Sequence, residues 1–330
     1  MSMVELAARS AVPSPRTAVA RTSARRPSER YAADTSLRRS ARQAVEALAA
    51  SSGLTTWYLG RIDGLAMLPL AVSDEATGVV AGRRIPWSDT VCRRMVNGLG
   101  PAVAPDITLV PNYVRAPSAI ALGMTAYAGT ALRDGDGRLL GAMAGWNSRP
   151  GTVVQPGLEL LMTAFAELLS QALAAEVAAD AAQRAADRAS VRRDATDRVT
   201  ELSSRVGWGA LLQQEDRRTV ERGVPVALLV VDLGRVRSSS RLQKATETVV
   251  RALPDATVSR LTARQFGAIL PDVDPEEVEA SERGLTTALR AAGFDATGAW
   301  AASGEADDLS AVWTLAEQRL YRARRDGARP

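Results

Sequence analysis

Histidine is absent from the 330-residue sequence, and cysteine occurs only once, at Cys92. Without histidine the chain has no Ser-His-Asp or Cys-His pair, no imidazole zinc ligand and no histidine-ligated haem. A single cysteine excludes an intrachain disulfide and a cysteine metal cluster. Lysine also occurs only once, at Lys244, and its neighbours do not form the Gly-Lys-Ser/Thr motif of a P-loop. These absences exclude many classes of enzyme and metal site.

Long apolar runs are lacking too. No stretch of about 18 uninterrupted apolar residues occurs, and residues 1–36 lack the apolar core of a signal peptide. We therefore expect no membrane span and a cytoplasmic protein. The basic residues are almost all arginine and alanine is abundant, which is typical of a bacterial protein from a high-GC genome. The length and an apolar fraction of 46 % suffice for two cores joined by a linker.

The positive charge lies at the two ends of the chain. Residues 1–36 carry six arginines and three acidic residues, and residues 316–330 carry five arginines and two acidic residues. The whole chain has a net charge of only +4, so the residues between are slightly acidic. A nucleic-acid-binding domain concentrates basic charge on a folded face. We therefore predict a disordered basic tail over residues 1–36 and solvated ends, and expect no nucleic-acid partner.

Residues 37–155 show the pattern of a helix followed by hairpins. Leu37, Ala41 and Leu48 recur at helical spacing, and Asp63-Gly64 separates two strand-like runs. Ser88 and Asp89 are candidate N-caps of a second helix that ends near Asn97. The predicted strands are residues 55–62, 65–72, 101–106, 125–133 and 138–146.

A long helix is predicted from Pro156 onwards. No glycine or proline interrupts residues 158–204, and apolar residues recur there at alternating spacings of three and four. The positions are Leu158, Leu161, Phe165, Leu168, Ala172, Ala175, Ala179, Ala182, Ala186 and Ala189. We interpret residues 156–203 as a helical linker that forms a parallel coiled coil in a homodimer. A single helix packed on its own domains is the alternative, because the alanine-rich stretch permits several registers.

Residues 204–330 alternate helices with strands. The predicted helices are residues 205–222, 241–253, 275–292 and 309–326. The predicted strands are residues 225–233, 257–261, 265–271 and 295–301, of which the middle two form a hairpin. The fold class predicted for the whole chain is α/β (α+β), with helices packed on mostly antiparallel sheets.

Four segments of the first domain match a known family in order. They are residues 88–96, residues 98–106 with a Gly-x-Pro-to-Asp strand, residues 126–132, and residues 136–141 with an Asp-Gly turn. Over residues 37–175, which include the start of the long helix, the pattern resembles a GAF domain, which implies an antiparallel sheet flanked by helices. The resemblance also implies a small-molecule pocket covered by residues 107–124, and a dimerisation role.

Aromatic residues and the cysteine are the candidates for lining that pocket, since ligand sites combine apolar walls with a few polar tips. The candidates are Trp57, Trp87, Cys92, Tyr113 and Tyr127. The alternative is that the aromatic residues belong to the core and that Cys92 is a buried, unreactive thiol. The sequence does not identify the ligand.

The second domain also matches a family in order, through residues 197–205, the strand with Asp232, residues 260–271 and residues 316–327. The last segment, A-E-Q-R-L-Y-R-A-R-R-D-G, is the most specific match. This part of the chain resembles a GGDEF domain (diguanylate cyclase). The resemblance implies a cyclase-palm-like sheet and the synthesis of cyclic di-GMP from GTP.

The residues that this resemblance implies for catalysis are missing. The family holds divalent cations with an acid on the first strand, here Asp232, and with the third residue of the signature turn, here Arg264. The degenerate signature positions are Thr262, Ala263, Arg264, Gln265 and Phe266. Replacing an attractive charge by a repulsive one at close range is worth about 4 kcal/mol per pair at an effective dielectric constant near 20. The sequence therefore predicts no metal site.

Two further departures support the same conclusion. The interval between Asp232 and the turn is shorter than in the family and lacks its Asn-Asp, Gly-His and Gly-Asp contacts to the nucleotide. Arg251 and Asp255 are one residue too far apart to form the R-x-x-D product-inhibition motif.

We therefore predict a signalling protein without enzymatic activity, cofactor or metal. Its GAF domain would bind an unknown small molecule, and its degenerate GGDEF domain would contact a protein partner. One alternative is a weakly active cyclase, or a GTP binder that uses Arg264 and Arg324 on the phosphates. Another is a nucleic-acid-associated regulator that uses the arginine-rich tails.

Overall fold

The computed structural model describes residues 35–62, 65–74, 78–149 and 154–327. It contains two antiparallel sheets joined by one long helix, which confirms the predicted α/β (α+β) class. The predicted turn at residues 63–64 lies outside the described residues, and so does the predicted basic tail except for Thr35 and Ser36.

Helix α1, Ser36–Ser51, begins the first domain. The Thr35 side chain accepts a hydrogen bond from the Arg38 amide and caps the helix. The apolar residues at helical spacing are buried as the sequence predicts, including Leu37, Ala41 and Leu48.

The first sheet has six strands in the order β3-β2-β1-β6-β5-β4, and each neighbouring pair is antiparallel. The strands are β1 Thr56–Ile62, β2 Ala66–Val72, β3 Ile85–Pro86, β4 Val103–Ala104, β5 Ala126–Arg133 and β6 Leu139–Asn147. Both predicted strand pairs are confirmed. The strand predicted for residues 101–106 is limited to β4.

Three short helices cover one face of this sheet: α2 Val91–Val96, α3 Pro111–Val114 and α4 Pro117–Ala121. The predicted cap of α2 is wrong, because Ser88 and Asp89 lie in a 3₁₀ turn before it. Thr90 is the cap, and its hydroxyl accepts from the Arg93 amide at 3.1 Å. The other face is covered by α1 and by the first part of α5, Leu158–Asp194.

Helix α5 ends at Asp194, nine residues before the predicted end of the linker at residue 203. After Asp194 the chain forms a tight loop. The Asp197 carboxylate accepts from the Thr200 amide at 2.9 Å, and Glu201 has a φ of +58°. Side-chain hydrogen bonds from an aspartate to its own loop compete with helix continuation, which explains the early end.

The buried face of α5 differs from the predicted heptad face. Leu158, Met162 and Leu169 pack against the first sheet, whereas Leu168 is 64 % exposed. The alanines predicted for the second half of the seam are also exposed, namely Ala175, Ala179, Ala182, Ala186 and Ala189. The helix thus packs on its own domains and leaves the predicted seam uncovered there.

Among the described residues, α5 is the one helix long and apolar enough to cross a membrane by length and composition. This differs from the expectation that the chain has no such segment. Asp180 and Arg184 lie on its buried face and take part in ion pairs within the protein.

The second sheet has four antiparallel strands in the order β10-β7-β9-β8. Its elements are α6 Arg205–Arg222, β7 Val226–Asp232, α7 Ser239–Ala252, β8 Thr257–Arg260, β9 Gln265–Pro271, α8 Pro275–Ala291, β10 Thr297–Ala302 and α9 Leu309–Gly327. Helices α7 and α8 pack on one face, and α6 and α9 on the other.

The C-terminal basic segment is not a solvated tail up to residue 327. It forms the second half of α9, where Arg319 pairs with Glu305 and Arg324 pairs with Asp232. The prediction of a free basic end is therefore wrong for this segment.

Candidate functional site

A cleft of about 950 Å³ opens in the second domain beside the end of β7 and the start of β10. Its polar lining is mostly arginine, with Glu282 and Asp295 as the acidic members. The lining arginines are Arg235, Arg264, Arg290 and Arg324. The cleft is thus shaped to admit a small molecule and carries more positive than negative groups.

The strand pairing brings the signature turn to this cleft. Asp232 is the last residue of β7 and pairs with Gln265, the first residue of β9. The Leu233 amide donates to the Arg264 carbonyl at 2.9 Å, which continues the pairing into the turn. The sequence-predicted acid and the degenerate signature are therefore brought together.

The turn itself is closed by Thr262. Its hydroxyl accepts from the amides of Arg264 and Gln265, at 3.3 and 3.1 Å. Ala263 lines the cleft, so its methyl group occupies part of the space beside the turn. Phe266 faces away from the cleft and is buried in the core with α7 and α8. Thr262 thus holds the turn, and neither of the first two signature residues is glycine.

Asp232 is fully buried, and four donors surround its carboxylate. Oδ1 lies 2.6 Å from Arg324 Nη2 in an ion pair and accepts a hydrogen bond from the Gly234 amide at 2.8 Å. Oδ2 contacts Arg264 Nε at 3.1 Å and Gln265 Nε2 at 3.2 Å. An ionised carboxylate offers about four acceptor positions. Two of them accept hydrogen bonds, from Gly234 and Gln265, and each oxygen also has a guanidinium group beside it.

This arrangement decides what the carboxylate can do. A divalent cation requires free oxygen lone pairs and negative charge. Asp232 has two guanidinium groups instead, of which Arg264 is about half exposed and Arg324 mostly buried. No group of three or more His, Cys, Asp or Glu side chains that could hold a metal ion occurs in the described part of the chain.

Glu282 is the acidic residue of the cleft whose pKa is shifted. Burial raises its pKa, and the nearby Arg290 and Arg283 oppose the shift only in part. Glu282 lies against Gly298, where a Cβ would come within 2.4 Å of its Oε1. Its carboxylate therefore has little room and a weaker preference for the charged form.

The first domain has a much smaller pocket, of about 10 Å³, below the helices that cover β5 and β6. That volume is close to the space of one water molecule. Two of the candidates, Cys92 and Tyr127, line it together with Tyr58 and Trp146, which were not among the candidates. Alternation along β1 and β6 could have found both, since they face the same side of the sheet as Cys92.

The remaining predicted pocket residues lie elsewhere. Trp57 faces the opposite side of the sheet, and its indole donates to Ser52 Oγ at 2.9 Å. Tyr113 donates to the Pro101 carbonyl at 2.6 Å and packs against Tyr127 without lining the pocket. Trp87 is half-buried at the edge of the same core. The five residues therefore do not form one site.

Cys92 is buried between two tyrosines. Its sulfur lies 2.9 Å from the Tyr58 hydroxyl and 3.4 Å from that of Tyr127. Burial raises the pKa of the thiol, although both hydroxyls partly counter the shift. A neutral, enclosed thiol is a poor nucleophile, which supports the inert interpretation of this cysteine.

No family model and no curated protein sequence matches the chain. Solved structures do. The coiled coil and GGDEF domain of DgcB from Caulobacter crescentus, in complex with c-di-GMP, is 18 % identical with a TM-score of 0.39, over 48 % of this chain and 95 % of that one. The FimX GGDEF domain from Pseudomonas aeruginosa is 16 % identical with a TM-score of 0.37, over 40 % and 95 %.

The GAF domain of phosphoenolpyruvate-protein phosphotransferase from Acinetobacter is 14 % identical with a TM-score of 0.36, over 47 % of this chain and 93 % of that one. Parts of the chain are therefore similar to GGDEF structures and to a GAF structure, at low identity and partial coverage.

Proposed function

We propose that this chain is a cytoplasmic bacterial signalling protein in which a GAF-like domain senses a small molecule and a GGDEF-like domain acts without catalysis. The output would be a surface of the second domain that binds a protein partner, in signalling linked to cyclic di-GMP. The protein would need no cofactor, metal, membrane or nucleic acid for this role.

The observation that carries the proposal is the pairing of the buried Asp232 carboxylate with two arginines. Cyclisation of GTP gathers negative charge on phosphate oxygens and depends on cations held by carboxylates. Here the one acid at the corresponding place is held by Arg264, Arg324, Gln265 and a backbone amide. A cation would have to displace two arginines that already neutralise the carboxylate.

The sensing part of the proposal concerns the pocket around Cys92. With about 10 Å³ free, the pocket admits no ligand larger than water unless side chains move. Leu122 and Met124, from the segment that covers the sheet, line it and are only partly buried. We expect ligand entry to displace these two flexible side chains.

The oligomeric part of the proposal is a homodimer through α5. Leu168 and the exposed alanines that follow form a stripe of small apolar residues on the face that neither domain covers. Small residues at heptad spacing allow close approach of a parallel copy of the helix.

The test of the function has two measurements. Incubating the full chain with GTP and Mg²⁺ or Mn²⁺ should give no cyclic di-GMP, while an active diguanylate cyclase under the same conditions does. Mn²⁺ binding, followed by electron paramagnetic resonance, should be undetectable in the wild type. Cyclic di-GMP formed by the wild type would refute the proposal.

A designed variant makes the second measurement sharper. The double variant Arg264→Glu with Arg324→Gln removes both guanidinium groups and adds a carboxylate beside Asp232. We expect it to bind Mn²⁺ at least about a hundredfold more tightly, because each close charge pair is worth about 4 kcal/mol. Arg290→Gln is the control, since Arg290 lines the cleft but does not contact Asp232.

One other function has an observation in its favour. The cleft is large enough for a nucleotide, and its four arginines could hold phosphates without a metal. Binding of GTP in the presence of a chelator, lost in Arg290→Gln, would support this alternative and would leave catalysis excluded.

A further inference from the structure

The two domains meet where β2 packs against the turn after α6. Gly223 ends α6 with a φ of +67°, and a Cβ placed on it would lie 2.2 Å from Leu68 Cδ2. Arg38 of α1 donates to the Glu221 carbonyl in the same turn at 3.0 Å. The two surfaces are therefore in direct contact, with no space for a larger side chain.

Buried charges cross the same interface. Arg61, near the end of β1, donates to Asp272, with 2.5 Å between Nη2 and Oδ1. The other oxygen of Asp272, which follows β9, accepts from Arg184 Nη1 of α5 at 3.0 Å. The side chains of Arg61 and Arg184 are only 3 % and 6 % exposed. One carboxylate thus joins the first domain, the connecting helix and the second domain.

Arg184 is also held by α6. Its Nε and Nη2 donate to Glu215 at 3.0 and 2.9 Å, and Glu215 accepts from Arg218 at 2.8 Å. Arg218 in turn pairs with Asp187 of α5. Positive and negative groups therefore alternate from β1 to α6, and each buried charge has an opposite charge beside it.

Such a chain of charges contributes little stability, because removing the charges from water offsets their mutual attraction. Its members must all be satisfied together, since a buried charge without a partner is strongly unfavourable. Separating the two domains would leave Arg61 and Asp272 without each other as partners. The chain of charges therefore favours the relative placement of the two domains that the structure has.

Both strands that end at this chain of charges also reach a candidate site. Tyr58 of β1 lines the pocket of the first domain, three residues before Arg61. Gln265 begins β9 and donates to Asp232, and Asp272 follows the other end of the same strand. At about 3.3 Å per residue, β9 spans about 20 Å between the interface and the cleft.

We propose that Arg61, Asp272, Arg184 and Glu215 form an interdomain clamp that couples the pocket of the first domain to the cleft of the second. A shift of β1 pulls on Asp272 through Arg61. Because Asp272 continues β9, the shift changes the contact between Gln265 and Asp232. The clamp operates whether or not the second domain is catalytic, and its regulatory meaning rests on the proposed sensing role of the first domain.

The experiment compares the full-length wild type with Arg61→Gln, Asp272→Asn and the double variant. Calorimetry should show one unfolding transition for the wild type and two for the double variant. Hydrogen exchange should become at least about fivefold faster at the Gly234 amide, which donates to Asp232, in each clamp variant. Spatial intermediacy alone does not establish coupling, and this change in exchange measures it directly.

The matched control is Arg42→Gln, at an exposed position on α1, which should alter neither reading. If Arg61→Gln does not fold, Arg61→Lys replaces it, because lysine keeps the charge and loses the forked geometry of the guanidinium group. It should also speed hydrogen exchange at the Gly234 amide, but by a smaller factor. Two unfolding transitions in the wild type would refute the proposed clamp. Unchanged exchange at Gly234 in the folded variants would overturn its coupling to the cleft, even with separated transitions.

Discussion

The pocket of the first domain and the cleft of the second lie beside antiparallel sheets, yet their interiors differ. Around Cys92 the space is filled by uncharged groups, with the rings of Tyr58 and Trp146 packed edge to face at 5.9 Å. Around Asp232 about 950 Å³ remain open, and the walls carry four arginines. One region is closely packed and uncharged, and the other is open and mostly positive.

The two regions differ in the physical effect that holds their side chains in place. Filling with apolar side chains adds to the core, because packing and burial are favourable. Compensating a buried carboxylate with arginines adds little net stability but blocks a cation. Substitutions in the first region should therefore affect mainly stability, and those in the second mainly binding.

The largest effect is expected for Trp146→Ala. Trp146 is 2 % exposed, and its removal leaves a cavity beside Tyr58. The free energy of unfolding should fall by about 3–5 kcal/mol, measured by urea denaturation. Trp300→Ala, at a half-buried position on β10, is the control and should lose less. A loss below about 1 kcal/mol for Trp146→Ala would mean that the pocket is not part of the packed core.

A smaller effect is expected for Asp232→Asn. The change leaves Arg264 and Arg324 beside each other without their counter-charge, although both reach solvent in part. The free energy of unfolding should fall by about 1–3 kcal/mol in urea denaturation. Asp295→Asn, at an exposed position of the same cleft, should stay within about 0.5 kcal/mol of the wild type. Equal losses for the two variants would contradict the special role of Asp232.

The smallest effect concerns pH. Because burial raises the pKa of Glu282, its contribution to stability is present below the unfolded value of about 4.3 and is lost as the pH rises through the folded value. Glu282→Gln should therefore weaken the fall in stability above about pH 4.3, by less than about 1 kcal/mol because the group is partly solvated. The change in the free energy of unfolding between pH 4.5 and pH 7, measured by urea denaturation, tests this expectation. If the free energy of unfolding fell more steeply with pH in the variant than in the wild type, the raised pKa of Glu282 would be contradicted.

Local patterns were sufficient to predict most elements. The hairpins of β5–β6 and β8–β9 follow from alternation and turn residues, and α9 follows from its helical spacing. The resemblance to the signature turn implied that Arg264 lies next to Asp232. The two side chains form an ion pair in the structure. These features depend on residues close in sequence, or on one strand pairing.

Features that depend on distant contacts were missed. The face of Trp57 was assigned wrongly because a single aromatic residue does not reveal which side of a sheet it faces, whereas alternation with Tyr58 does. The early end of α5 depends on Asp197, whose loop is held by Arg260 from β8. The ion pair of Arg61 with Asp272 joins residues of different domains, and no spacing rule indicates it.

The contact between Asp232 and Arg324 has a consequence for synthesis on the ribosome. Asp232 belongs to the first strand of its domain and Arg324 to the last helix, so the carboxylate emerges long before one of its two counter-ions. Domains fold as units during translation. Burial of Asp232 should therefore be delayed until α9 has emerged, and nascent chains arrested before residue 324 should retain an open, protease-sensitive end of β7.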